Sequence, residues 1–246
     1  RDRSKNYRSV TFADISIINP AFSINPDISD ERGYTIDLGI RGNINKLISY
    51  DLTLFNLNYK DRIGFAQKEF KDGSVKSERG NIGDAIIYGL ESNIDFDVNN
   101  LIIKNDNISL NVFLNTAIID SEYIRSEENG VIGKKVEFVP NYNIKTGIKL
   151  GIGNFIFNTQ YSHVSTQFTD SSNAKEGNIS GIIGEIPGYS LLDFSIAYRL
   201  KKIKIETGIN NLTNTYYFTR RATGYPGPGI IPSPPRNSYL TLQIRF

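Results

Sequence analysis

The last ten residues, Asn237–Phe246, constrain this chain more than any other stretch. Leu240, Leu242, Ile244 and Phe246 fall on one side, and Tyr239, Thr241, Gln243 and Arg245 on the other. Successive Cβ atoms of a strand point to opposite faces, so an unbroken period of two describes a strand between an apolar and an aqueous surrounding. The same period recurs along the chain. Tyr34, Ile36, Leu38 and Ile40 oppose Thr35, Asp37, Gly39 and Arg41; Ile86 to Val98, Ile108 to Ile118, Tyr142 to Leu150, Phe155 to Tyr161, Leu192 to Leu200 and Ile203 to Ile209 repeat it. The stretch from Ser49 to about Gln67 carries Leu52 and Leu54 but then Asn56 and Asn58 in the same phase, so its register stays open and a bulge is one solution.

The connections between these runs alternate in length. Gly42 to Lys46, Gly151 to Asn154, and Lys201 with Lys202 are short; Lys68 to Ile82, Arg125 to Val139, Asp170 to Gly188 and Asn211 to Arg236 are long. A soluble sandwich distributes long loops over both ends, whereas transmembrane barrels have short turns on one side and long loops on the other. The expected fold is therefore all-β, an antiparallel transmembrane β-barrel. Strands of ~9–11 alternating residues suffice to span, so the absence of an apolar run of ~18 residues does not argue against a membrane. About nine strands are visible. Single-chain bacterial barrels close with an even number, and an open barrel in lipid leaves unpaired edges costing several kcal/mol per group. Together with the absence of Met from all 246 residues, this predicts a fragment or processed product.

Composition removes other classes. With 28 basic and 26 acidic side chains the net charge is +2, which leaves no basic footprint for nucleic acid. Cys is absent, which excludes disulfides and Cys-based zinc sites.

The stretches NPDISDERGYTIDLGIRG, YDLTLFNLNYKDRIG, YGLES and GINNLTNTYYFTRRATGYPGPGIIPSPPRNSYLTLQIRF resemble the C-terminal half of a TonB-dependent outer-membrane receptor. The most specific pieces are INNL at Ile209–Leu212, the loop YFTRRATGYPGPG at Tyr217–Gly229, which is similar to receptors of the ferric dicitrate type, and the terminal strand. The resemblance implies that residues 1–246 form the C-terminal part of a barrel of ~22 strands with a plugged lumen. It places the chain in the outer membrane of a Gram-negative cell, among lipopolysaccharide, with the short turns in the periplasm and the long loops outside. It further implies import of a ferric siderophore or ferric citrate, energised by TonB and its inner-membrane complex acting through an N-terminal region this sequence does not contain. Phe246 would then be the signal read by the barrel-assembly machinery. Cobalamin, haem or a glycan are alternative cargoes, and a passive porin or adhesin barrel is an alternative of another class.

Candidate ligand contacts lie in the long loops. Arg220 and Arg221, beside Tyr225, have the forked donors that suit the carboxylates of an anionic chelate; pairing with lipopolysaccharide phosphates or stiffening the loop are the other readings. Gln67 and Arg79 flank a second external loop. Glu91, Asp95, Asp97, Asp193, Arg199, Lys204 and Glu206 face the expected lumen, where ion pairing with each other or with a plug is expected rather than acid–base catalysis. His163 is the only histidine. Its neighbour Ser162 points to the opposite face of a strand and cannot serve it, so no enzyme, cofactor or resident metal is expected.

Overall fold

The computed structural model describes residues 2–16, 22–69, 75–99, 107–179, 181–222 and 229–245, with backbone alone at 2–6, 69 and 75. Its elements are β1 (Asp2–Arg8), α1 (Phe12–Ile15), β2 (Phe22–Ile24), β3 (Glu31–Ile44), β4 (Ile48–Glu69), β5 (Val75–Asp97), β6 (Ile108–Arg125), β7 (Tyr142–Ile152), β8 (Phe155–Val164), β9 (Tyr189–Leu200), β10 (Ile203–Asn210), β11 (Phe218–Ala222), β12 (Gly229–Pro232) and β13 (Asn237–Ile244). One sheet runs β1-β3-β4-β5-β6-β7-β8-β9-β10-β13 with antiparallel neighbours throughout, and it does not close on itself. The short β2 pairs parallel with the outer part of β5, and β11 with β12 forms a separate hairpin.

The register explains why the alternation is so regular. Leu38, Leu54, Leu90, Ile118 and Tyr142 lie opposite one another across β3 to β7. Phe96, Val112, Ile148, Thr159, Phe194 and Ile209 form a second such row. Every strand thus turns its apolar phase to the same face, and that face is uncovered: Leu38 is 58% exposed, Leu54 56% and Leu240 75%. At about 3.3 Å per residue, the outward run from Leu110 to Ile118 on β6 spans roughly 27 Å, the height of a lipid-facing band. Polar groups in this band are satisfied locally: Thr146 and Thr207 donate to the Phe113 and Tyr239 carbonyls, Ser92 pairs with Thr116 at 2.6 Å, and the amide of Asn58 pairs with that of Asn56. That pairing resolves why Asn56 and Asn58 share the phase of Leu52 and Leu54.

The opposite face is polar. Asp51, Asn93, Asn115, Lys145 and Ser162 form one row across it. Of the charges expected to pair there, Lys204 and Glu206 meet at 2.6 Å within one strand, and Asp193 accepts the Asn211 N–H at 2.8 Å. On this face Asp37, Asp51, Glu91, Asp95 and Asp97 lie on β3 to β5, and Lys145, Lys149, Arg199 and Lys204 on β7 to β10.

Two expectations need correction. Lys68 to Ile82 is not one long loop, because β4 continues to Glu69 and β5 begins at Val75. These strands run past the apolar band into water, where no difference between faces leaves a period in the sequence. The shift in register comes where a bulge was foreseen, at Tyr59 to Ile63, with Asp61 at φ 53°. Asn211–Arg236 likewise holds the β11–β12 hairpin instead of a single loop. Asn211, at φ 52°, folds the chain off β10 by bonding Thr215 through both ends of its amide, a conformation that asparagine tolerates well.

Candidate ligand-facing site at the loop end

Above the band, β6 ends at Arg125 opposite Asp84, and β2 takes over the vacated edge of β5. This brings the segment before β3 against the outer ends of β4 and β5. Asp14, in the single turn of α1, is 2% exposed and is gripped from three sides. Arg79 donates to it at 2.7 Å, Arg8 at 2.9 Å and the Thr11 N–H at 2.9 Å. Burial alone would raise the Asp14 carboxyl, but the hydrogen bonds from Arg79, Thr11 and Arg8 outweigh it and hold the group well below the usual carboxylate range.

A second buried cluster adjoins the first. Glu137 accepts from the Tyr123 hydroxyl at 2.7 Å and lies 3.7 Å from Arg62, whose guanidinium packs over Tyr59. Glu31 accepts the Ile63 N–H at 2.9 Å and comes within 3.9 Å of Arg8. Ala66, Ile82, Ala85, Val131 and Val136 close around Tyr123. Three arginines and three carboxylates therefore balance one another, so the interior of this end is a structural ion network rather than an open anion site.

Residues 165–188 tie the other loops together. Ser171 donates to the Phe65 carbonyl, and Asn173 exchanges hydrogen bonds with the backbone of Lys135. Ile182 and Ile183 pack with Phe22 and Phe65. The β11–β12 hairpin joins through Arg221, which donates to the Gly181 carbonyl at 2.8 Å and the Glu185 carbonyl at 2.9 Å and stacks over Phe218.

The nominated residues consequently occupy different situations. Arg79 is committed to Asp14 and lies 4.7 Å over Phe65; Arg221 is committed to carbonyls. Arg220, its neighbour on β11, is exposed and has no ion pair among the described residues. Gln67 sits opposite Ser77, two pairs beyond Phe65–Arg79, and its buried Nε2 donor has no partner among the described residues. Tyr225 and Phe246 lie outside the described residues. Arg8, Asp14, Glu31, Arg62, Tyr123 and Glu137 escaped the sequence reading; Thr11 three residues before Asp14 was the one local signal, a side chain and backbone that cap each other. His163 meets Ser190, the residue opposite it on β9, at 2.9 Å, yet among the described residues no carboxylate bonds the ring and no acyl-transfer relay is assembled. The described residues contain no group of three or more His, Cys, Asp or Glu placed to hold a metal.

The comparisons with known proteins agree with this geometry. A family model described as TonB dependent receptor-like, beta-barrel, matches residues 4–212. Among solved structures, the ferric citrate transporter FecA in its unliganded form is similar at 24% identity and a TM-score of 0.69, covering 87% of this chain and 31% of that one. The copper transporter OprC gives 16% identity and a TM-score of 0.71 over 99% of this chain and 37% of its own. The ferric yersiniabactin uptake receptor FyuA from Yersinia pestis gives 18% and 0.69 over 99% and 34%. The chain therefore spans about a third of the length of these structures.

Proposed function

The chain belongs to the TonB-dependent receptor β-barrel family, and on that premise we propose that it is the C-terminal part of the barrel of a bacterial outer-membrane receptor. The receptor imports a ferric chelate, ferric citrate or a similar anionic siderophore, with energy delivered through TonB. The barrel-assembly machinery and lipopolysaccharide are its further partners. At the identities found, the solved structures speak for the fold alone, so the cargo rests on this chain's own residues.

The observation that carries the reading is the division of labour between two adjacent arginines. Arg221 spends its donors on Gly181 and Glu185 and holds the hairpin against residues 165–188, while Arg220 is exposed and its guanidinium has no ion pair among the described residues. An exposed arginine on an anchored support suits bidentate capture of a carboxylate. We nominate Gln67, near the outer end of β4, as a second polar contact in a different element.

The test is uptake and binding of radiolabelled ferric citrate by cells carrying the full-length receptor, with Arg220→Ala in a parallel strain. Saturable uptake that the substitution weakens at unchanged surface level supports the reading. No ferric citrate uptake by the unaltered receptor discards the cargo.

A further inference from the structure

The outward face changes character toward its loop end. The Leu38–Leu54 row is apolar, and Leu38, Ile40 and Leu54 are exposed. Three rows of the same phase higher, Arg32 lies directly opposite Lys60, and both are exposed. Each row is a step of two residues, so these two cations share the face of Leu38 and Leu54. The register also sets Lys5 opposite Tyr34 and Arg3 opposite Ile36, which makes the adjoining positions on β1 basic.

Like charges directly opposite each other destabilise a ladder, so the Arg32–Lys60 pair calls for an anion. The nearby carboxylates are engaged elsewhere. Asp30 accepts from the Tyr7 hydroxyl and the Val10 N–H, and Asp61 and Asp84 accept from Arg125. Arg32 and Lys60 reach Asp30 and Asp84 only as charges at longer range. Glu31, next in sequence to Arg32, takes the Ile63 N–H on the other face. Neither cation has an ion pair among the described residues. On β6 the rows of Tyr34 and Ile36 end in Glu122 and Asp120, so the positive patch is confined to β1, β3 and β4.

Between the cations and Leu38 stand Tyr34 with Asn58 and Ile36 with Asn56, a zone of mixed polarity about 13 Å deep from Arg32 to Ile36. A sugar headgroup has the depth and the hydroxyls for such a zone. In a glycerophospholipid the phosphate stands close to the acyl chains and leaves the zone unfilled. We propose that Arg32 and Lys60 bind a phosphate of a phosphorylated glycolipid, the membrane end of lipopolysaccharide, whose sugars lie over Tyr34 and Asn58 and whose acyl chains cover Leu38, Ile40 and Leu54. A free anion would have no use for the apolar surface. The proposal rests on the outer-membrane reading but not on the cargo.

The experiment places the full-length receptor in phosphatidylcholine nanodiscs and titrates it with diphosphorylated lipid A, read by native mass spectrometry. Saturable binding is expected, with about 30-fold lower affinity when Arg32→Gln and Lys60→Gln are combined and unchanged affinity in Lys202→Gln at the β9–β10 turn. Should the double variant not fold, Lys60→Gln alone must lower the affinity about fivefold. Equal affinity in the wild-type and altered proteins overturns the proposal. Equally tight binding of dephosphorylated lipid A removes the phosphate from it, and equally tight binding of phosphatidylglycerol removes the sugars; either result overturns it. So does displacement of the lipid by inorganic phosphate, which would make the occupant a free anion. Because lipid is read and not uptake, loss of the ferric citrate reading leaves this result standing.

Discussion

Phe113 lies over Gly147, its partner across β6 and β7, so closely that a Cβ on the glycine would sit 2.5 Å from the ring. Phe55 over Gly89 and Tyr239 over Gly208 repeat the arrangement on the same face. Each aromatic ring covers a stretch of ladder that glycine leaves bare, and the pairing fixes register where the polar face alone would fix it weakly. Gly147→Ala should therefore destabilise the sheet by about 1–3 kcal/mol, since the Thr159 carbonyl also stands 2.4 Å from the new Cβ and cannot rotate away. Folding titrations in lipid vesicles would show it, and a Phe113→Ala partner change would recover part of the loss if the ring is the obstacle.

The assigned faces give a sharper comparison at two adjacent positions. Ile196 shares the outward row with Phe157 and Thr207, and Ser195 the inward row with Asn158 and Gly208. Ile196→Arg should cost ~2–4 kcal/mol in a bilayer and Ser195→Arg much less. Equal losses in the two variants would mean that the faces are exchanged or that neither meets lipid.

At the loop end, the ion network should behave as support. Removing the Tyr123 hydroxyl leaves Glu137 with Arg62 and a long hydrogen bond from the Phe65 N–H, so Tyr123→Phe should weaken the packing of residues 126–141 by about 1.5–3 kcal/mol. Hydrogen exchange of that segment should accelerate while the strands of the band keep their protection.

Asp14 sets a direction for pH. Its carboxyl is held below the ordinary range, so the stability it contributes is fully present above the unfolded value of about 3.9 and disappears as pH falls through the lower folded value. Protease resistance of residues 8–16, around Asp14, should hold from neutral pH down to about pH 4 and fail in stronger acid. Asp14→Asn should reduce it at neutral pH and remove the acid-dependent loss.

The two arginines of β11 should separate in their effects. Arg221→Ala should loosen the hairpin from Gly181 and Glu185 and raise its exchange rate. Arg220→Ala should leave exchange unchanged and lower affinity for an anionic chelate, read by titration of the purified receptor.

The sequence by itself determined the strands that cross the apolar band, the faces they present and the end on which the long connections gather. Lipid on one side and water on the other force a period of two that nothing local disturbs, and the terminal Tyr239-to-Ile244 alternation shows it most plainly. Beyond the band both faces meet water or protein, the period fades, and the outer halves of β4 and β5 and the β11–β12 hairpin left no mark. Only the tertiary structure decided that Arg79 belongs to Asp14, sixty-five positions away, and that Arg221 is spent on carbonyls while Arg220 is not. An arginine's identity is local, but its partner is whatever distant segment the fold folds against it.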